Sequence, residues 1–475
     1  MLKVFSDFLS NNKVTGYIII IAALVFLIAV ASLIIESISS KLRVSYTDSI
    51  TGRMSYTFLQ SKVSKIINKK KQSKYTFIIF DVDQFKFFND IHGYDEGNRV
   101  LKAIANITAK HLVKHEYCAR ISADNFVVIM KKESDKITRQ RLFEIFEAVE
   151  KTFVSEDNSY NLIFDAGVYN MDEEDNTFNV MLDRAGIARS LIKGGCQSEI
   201  MFYDEQMRQK MVEEKEISET MYQALKDKEF IVYYQPKYSF AENKIVGAEA
   251  LVRWKHPEKG LIPPFKFIPL FEKNGFVVNI DYYVFECVCK KMREWLDNGI
   301  EPVLVSINMS KLHFRNDNFI PTIQSIAEKY DIPSKYIELE ITESTAFENV
   351  DVLLGVMSNL QKIGFMLSMD DFGAGYSSLG LLKDLPVDII KLDCSFLRSS
   401  FETERTKIIV KKIVELAQEL DIEVIAEGVE TQEHADFLKE IGCDLAQGYY
   451  YAKPMPIEDF ENYIGITKSE TVEAI

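Results

Sequence analysis

Met369-Asp370-Asp371-Phe372-Gly373-Ala374-Gly375-Tyr376-Ser377-Ser378 sets two adjacent carboxylates at the end of an apolar run, Phe365 to Met369, and follows them at once with a glycine-rich loop. Neighbouring carboxylates at a strand end repel each other unless water or a cation neutralises them. A divalent cation is one answer and a solvated turn is the other. The flanking sequence repeats the arrangement. Ile245 to Ala248 ends in Glu249, Val303 to Ile307 in Asn308, and Tyr336 to Leu339 in Glu340. Ile389-Ile390 ends in Lys391, Glu423 to Ala426 in Glu427, and Leu445-Ala446 in Gln447. Helical segments separate most of these short runs. Buried strands alternating with helices imply parallel pairing, and about eight repeats over roughly 240 residues fit a closed (β/α)8 TIM-like barrel of about 250. Chemistry in such barrels sits at the C-terminal rim, which here would gather five carboxylates, amides and a lysine.

Hard divalent cations take oxygen ligands, and a carboxylate shared between two ions needs a second acid close by, as Asp371 is to Asp370. A lone strand-end acid is more often a helix cap or a solvated charge. A series of them on one rim is different. Lys391 reads either as one arm of a buried salt bridge or as a cation that holds a nucleophilic water and neutralises transition-state charge. Gly373 and Gly375 serve tight turns, or a loop that couples a distant surface to the site. Arg253, four residues after Glu249, carries a fork suited to phosphate, with a surface salt bridge as the plainer reading.

The chain has 475 residues, 47% hydrophobic and 27% charged, which suits two globular domains plus an extension. Its formal net charge of −15 excludes a broad surface for a nucleic-acid polymer, because phosphate binding draws on clustered Lys and Arg. The 6 cysteines include no C-x-x-C pair, so neither a disulfide framework nor a zinc site is expected; Cys287 and Cys289 read as reduced core thiols.

Gly16 to Ile35 is uncharged and apolar, about the 20 residues that cross a hydrocarbon core. Ala29-Val30-Ala31 resembles a signal-peptidase site, but the apolar run exceeds the usual signal core. Only Lys3 and Lys13 precede the run, whereas Lys41, Arg43, Arg53, Lys62, Lys65 and Lys69 to Lys71 follow it. The positive-inside bias then expects a single-pass protein of the cytoplasmic (inner) membrane with its C-terminal domains in the cytoplasm. Lys69 to Lys71 could touch anionic lipid, or form a solvated loop.

These readings divide the chain into an extracytoplasmic N-terminus (1–15), a transmembrane helix (16–36), an α+β domain (37–204), a helical linker (205–216), the barrel (217–465) and a tail (466–475). Within the α+β domain, strands are expected at 75–83, 162–170 and 200–204 and a hairpin at 117–132. Helices are expected near 96–112, 138–153 and 179–192. The charged stretch 205–230 reads as a largely helical connector.

At this resolution the second half resembles the EAL domain, the bacterial cyclic di-GMP phosphodiesterase family. The likeness runs over roughly 217–465 and is carried by Gln235-Pro236, Glu249-Ala250-Leu251-Val252-Arg253, Ser306-Ile307-Asn308, Glu340-Ile341-Thr342-Glu343, the Asp370 to Ser378 loop, Ile390-Lys391-Leu392-Asp393, Ala426-Glu427-Gly428-Val429-Glu430-Thr431 and Gln447-Gly448-Tyr449. The resemblance implies two Mg2+ or Mn2+ ions, one on Glu249, Asn308, Glu340 and Asp370 and one on Asp370, Asp371 and Glu427. It implies that Lys391 contacts the attacking water and that Gln447 orders the site. Gln235, Leu251 and Arg253 would meet the substrate, and Glu343 and Glu430 would steady the loop. The implied reaction opens cyclic di-GMP to linear pGpG. A receptor that binds the dinucleotide without cutting it is the alternative.

The first half resembles the GGDEF cyclic di-GMP synthase domain over roughly 44–204, through Asp48-x-x-Thr51-Gly52, Asp81-Val82-Asp83-Gln84-Phe85-Lys86 and Asn89-Asp90. Its signature is degenerate, reading Ser122-Ala123-Asp124-Asn125-Phe126, and side chains in place of glycines should crowd a nucleotide. Asn98 stands where the family has a guanine-contacting Asp, and Val113 and Glu116 stand where it has an inhibitory Arg-x-x-Asp pair. Asp81 and Asp124 could still bind metal. The expectation is a synthesis-inactive regulatory domain that could take GTP. The expected partners are cyclic di-GMP, membrane lipid and a second copy of the chain in a homodimer.

Overall fold

The computed structural model describes residues 13–153, 160–174, 177–342, 350–373, 382–383, 385–397 and 403–466. Glu343 and residues 374–378 of the glycine-rich loop lie outside them. The chain divides into two compact units, Met1–Val212 and Glu213–Ile475.

The first unit holds a five-stranded sheet of β1 (Tyr75–Val82), β2 (Tyr117–Ser122), β3 (Asn125–Lys131), β4 (Phe164–Asn170) and β5 (Glu199–Phe202), ordered β2-β3-β1-β4-β5. Only β4 and β5 pair in parallel. The central run of β1, Phe77 to Phe80, is apolar because alternate residues feed two cores. Ile78 and Phe80 pack with Val100, Ile104, Leu142 and Phe146, whereas Phe77 and Ile79 pack with Leu59, Val63, Met181 and Ala185.

A helix runs over Lys13–Tyr46 and contains the apolar run. Among the described residues no helix is long and apolar enough to cross a membrane; both ends of the expected span at 16–36 fall outside the described side chains. Those described, Tyr17 and residues 20–34, are exposed apart from the half-buried Val30. The helix expected in the connector spans Glu205–Lys226, and the boundary between the units falls within it.

The second unit is the barrel. Its strands are β6 (Phe230–Ser239), β7 (Lys244–His256), β8 (Gly260–Ile262), β9 (Leu304–Asn308), β10 (Ile337–Thr342), β11 (Met366–Phe372), β12 (Ile389–Leu392), β13 (Glu423–Ala426) and β14 (Leu445–Ala446). They run β6-β14-β13-β12-β11-β10-β9-β7-β8, and β6 pairs with β7 to close the ring.

Two expectations need correction here. Parallel pairing does not hold throughout, because β6 lies antiparallel to both β7 and β14. The sequence reading left β6 beyond the connector without a strand. Ser239 and Lys244 face each other across a short turn in which Asn243 takes φ +53°, and so tight a connection can only return the chain antiparallel. Glu249 also does not end its strand. β7 continues to His256, held by β6 and β8, although its parallel pairing with β9 stops at Ala250 opposite Ile307.

Inward-facing residues recur at every second position and form columns: Leu304-Ser306-Asn308, Glu338-Glu340, Met366-Ser368-Asp370, Ile389-Lys391, Ile425-Glu427 and Leu445-Gln447. Leu304, Met366, Ile389, Ile425 and Leu445 cluster as an apolar floor. Above that floor the residues of these columns are polar.

Candidate active site at the barrel rim

The tops of the columns converge on one amine. Lys391 Nζ, its side chain 1% exposed, lies 2.7 Å from Glu427 Oε1, 2.9 Å from Glu340 Oε2, 3.2 Å from Asp370 Oδ1 and 3.4 Å from Glu249 Oε2. Asn308 Nδ2 donates to Glu249 Oε1 at 2.9 Å. Gln447 Nε2 donates to Glu249 Oε2 at 2.5 Å and to Gln235 Oε1 at 3.2 Å. Strand register sets these meetings, since Glu340 stands beside Asn308, and Glu249 beside Ser306.

Asp370 and Asp371 pose a local problem, because successive strand residues point to opposite faces. The pairing of β11 with β12 slips between Met369 and Phe372, and Asp371 takes φ +57°. That conformation costs a non-glycine residue about 1–2 kcal/mol, and Asp tolerates it better than most. In return both carboxylates serve one site. The Asp371 N–H donates to Asp370 Oδ1 at 3.0 Å. Asp370, Asp371 and Glu427 each bring one carboxylate oxygen within 4.8 Å of the others. An all-oxygen set of this kind fits a hard divalent cation. The charge balance points the same way, for among the described residues Glu249, Glu338, Glu340, Asp370 and Glu427 share the interior with Lys237 and Lys391 as the only lysines.

Burial works to raise the pKa of Glu249, Glu340, Asp370 and Glu427. At Glu340 it is outweighed by Lys391 and Lys237, which hold the carboxyl at about 2. Burial prevails at Glu249 and Asp370, which rise above their ordinary values, and at Glu427, pushed up to about 8. Lys391 is buried as well, yet Glu249, Glu340, Glu427 and Asp370 hold its amine well above the usual lysine value. Glu249 and Glu340 thus help keep Lys391 charged, while burial moves Glu427 toward its protonated form.

Beside the acids opens a cavity of about 530 Å³, lined by Leu251, Ile268, Val277, Asn308, Asp370 and Asp371. One apolar wall facing a few convergent polar groups is the usual character of a small-molecule site. A larger hollow of about 870 Å³, between Tyr233, Lys255, Tyr283 and Lys291, contains none of the rim acids. Chemistry rather than volume selects the first.

Residues 218–454 match the family model of the EAL domain, and residues 45–194 that of the diguanylate cyclase, GGDEF domain. A solved chain described as "PaMucR Phosphodiesterase, c-di-GMP complex" is 36% identical, with a TM-score of 0.50, over 52% of this chain and 99% of its own. The chain belongs to the EAL-domain family. Cyclic di-GMP phosphodiesterase NbdA of Pseudomonas aeruginosa is 30% identical over 88% of this chain and 54% of its own length. Cyclic di-GMP phosphodiesterase PdeR of Escherichia coli is 30% identical over 88% of this chain and 63% of its own. The chain thus spans little more than half the length of several relatives that it matches.

The remaining expected residues of the EAL barrel fall around this rim. Gln235 is buried and donates through Nε2 to Ala452 O at 3.3 Å. Arg253 is half-buried, its guanidinium 5.6 Å from the Tyr233 ring centroid, with Nη1 donating to Val252 O at 2.8 Å. Glu430 is exposed beyond β13, its N–H directed at His434 Nδ1. Sequence reasoning missed Lys237 and Glu338, which lie below the rim, although a polar residue two positions from another in an apolar strand was the available signal. It also missed Asp281, whose Oδ2 accepts from the Ser310 N–H at 2.9 Å and lies 2.9 Å from His313 Nε2. That contact fastens the segment following Asn308.

In the GGDEF domain, the degenerate signature forms the turn between β2 and β3. Ser122 and Ala123 are exposed, Asp124, Asn125 and Asn98 are half-buried, and Ala123 takes φ +46°. Asp81 is buried beneath it, 3.3 Å from Arg189 Nη1 and 3.1 Å from Lys193 Nζ, and the same Arg189 nitrogen donates to Asn125 Oδ1 at 2.5 Å. Arg189 and Lys193 were not anticipated. Nor was Asp165, fully buried opposite Asp81 on β4, whose carboxyl is pushed up to about 6 by burial and then by Asp81 and Asp83.

Proposed function

We propose that the EAL barrel hydrolyses one phosphodiester of cyclic di-GMP to linear pGpG. The observation that carries this reading is the convergence of Asp370, Asp371 and Glu427 oxygens beside Lys391 at the mouth of the 530 Å³ cavity. It is supported by relatives named as cyclic di-GMP phosphodiesterases and by the 36% identical chain solved with that ligand.

Glu249, Asn308, Glu340 and Asp370 would hold one Mg2+ or Mn2+, and Asp370, Asp371 and Glu427 the second. Such ions neutralise phosphate charge and make water nucleophilic near neutral pH. Lys391 donates to the oxygen of the attacking water and opposes charge growing on the phosphoryl oxygens. Asn308 and Gln447 fix Glu249 by donating to its two oxygens. Gln235, Leu251 and Arg253 seat the dinucleotide, and Glu343 and Glu430 steady the loop after Asp371. Water adds to phosphorus, the ribose 3′ oxygen leaves as a hydroxyl, and the 5′ phosphate stays.

Full-length protein incubated with cyclic di-GMP and Mg2+ should yield pGpG, and EDTA should abolish it. Binding without cleavage under both conditions would instead identify a receptor.

On the same reading the GGDEF domain is a regulatory unit inactive in synthesis, with GTP as its ligand. The side chains at Ser122 and Ala123 and the capture of Asn125 by Arg189 support the loss of synthesis. The apolar, outward-facing side chains at 20–34 and the basic residues after them support a single-pass anchor in the inner membrane, with lipid around it and both domains cytoplasmic. A homodimer is the assembly proposed for it.

A further inference from the structure

We propose that Lys237 is a positioning residue for the rim, clamping Glu340 from inside the barrel and held in turn by Glu338. This rests on the cation-dependent hydrolase reading above. Lys237 stands on β6, which runs antiparallel to its neighbours β7 and β14, and its side chain is 1% exposed. Its Nζ lies 2.8 Å from Glu338 Oε2 and 3.3 Å from Glu340 Oε1. The other oxygen of Glu340, Oε2, lies 2.9 Å from Lys391. One carboxylate is thus held through separate oxygens by two lysines. A glutamate carboxylate turns broadly about its last torsion when nothing restrains it; here rotation would give up one partner or both. Glu338 precedes Glu340 by two residues on β10, so both point into the barrel, and both are buried.

Barrels of this architecture are usually filled by Val, Ile and Leu. Here Lys237 and Glu338 occupy the layer between the apolar floor and the rim, where a similar volume of hydrocarbon would fill space with no need to pair charges. What hydrocarbon cannot do is orient Glu340, and polar groups behind metal ligands characteristically do that.

Full-length Lys237→Met and the double variant Lys237→Met/Glu338→Met separate this role from a merely structural one. Mn2+ affinity is read by electron paramagnetic resonance, folding by urea denaturation and turnover by pGpG release. Lys237→Met should lose about 10–100-fold in Mn2+ affinity, the range seen for residues that orient ligands, with kcat falling more than KM changes. The double variant removes both buried charges together and should regain the wild-type denaturation midpoint while keeping the deficit in Mn2+ affinity. Recovery of Mn2+ affinity and turnover along with stability would show that the pair only holds the barrel together. Unchanged affinity in Lys237→Met would overturn the proposal outright. Should that variant not fold, the double variant decides by the same comparison. A wild type that binds Mn2+ but never cleaves would defeat the hydrolase reading and leave the affinity comparison to judge Lys237.

Discussion

At the residue scale, Lys391 and the acids around it divide one problem between them. Asp370 is the acid proposed to touch both cations, so Asp370→Asn keeps shape and removes charge. Turnover should fall by more than the roughly 10–100-fold that loss of an outer partner costs, while binding of cyclic di-GMP to Gln235 and Arg253 should suffer less. The comparison is pGpG formation beside ligand affinity, and turnover at the wild-type rate would remove Asp370 from its role. Glu427 carries a second prediction. Burial raises its carboxyl to about 8 in the metal-free protein, so at pH 7 it is largely protonated, and a cation must displace that proton. Mn2+ affinity should therefore rise with pH up to about 8 and level off above it. Calorimetric titrations in buffers of different ionisation enthalpy should show proton release on binding at pH 7, and heats that do not depend on the buffer would count against the assignment.

At the scale of elements, the bulge in β11 and the meeting of β13 with β14 place the site. Asp371 holds its left-handed backbone only because the register slips there, so Asp371→Gly removes a carboxylate while easing the backbone. Stability should stay within about 1 kcal/mol of wild type while activity collapses. A loss of both together would mean that the residue is structural. Gly448 makes the opposite point. A Cβ there would lie 2.2 Å from Val429 O and 2.3 Å from Val429 N, backbone that cannot step aside. Val429 N also donates to Gln447 O, so Gly448→Ala would push Gln447 away from Glu249. The expected cost is at or above the top of the ~1–3 kcal/mol typical of overpacking, read as a lower urea midpoint, with turnover reduced as well. Most of the barrel strands were legible, because short apolar runs ending in polar residues mark them; β6 and β8 were not. The existence of β6, and so its direction, escaped the sequence, since Phe230 to Ser239 mixes tyrosines, Gln235, Pro236 and Lys237 and looks like neither a buried strand nor an amphipathic one.

For the whole molecule, the two units carry different fates of related chemistry. The EAL barrel gathers Glu249, Glu340, Asp370 and Glu427 around Lys391. In the GGDEF domain Ser122 and Ala123 occupy the turn of the degenerate signature, and Asp81 is tied to Arg189 and Lys193. In a background carrying Asp370→Asn to prevent breakdown, GTP and Mg2+ should give no cyclic di-GMP; any synthesis would refute the steric argument from Ser122 and Ala123. A reporter fused after Ile475 should behave as cytoplasmic and remain with the membrane fraction, whereas an exported soluble product cut after Ala31 would restore the signal-peptide reading.

Residue chemistry and local period were decided by the sequence. The series Glu249, Asn308, Glu340, Asp370, Lys391, Glu427 and Gln447, each following a short apolar run, already implied a barrel rim, because successive parallel strands present such residues at one end of the barrel. Tertiary structure alone decided three things. Closure brings to one lysine carboxylates separated in sequence by up to 178 positions, 427 less 249, a convergence no local pattern encodes. The slipped pairing of β11 with β12 lets Asp371 join Asp370 when simple alternation would send it outward. Finally, the hairpin reversing β6 points Lys237 into the interior, because which face of a strand is inside depends on the register with its neighbours and not on the strand itself.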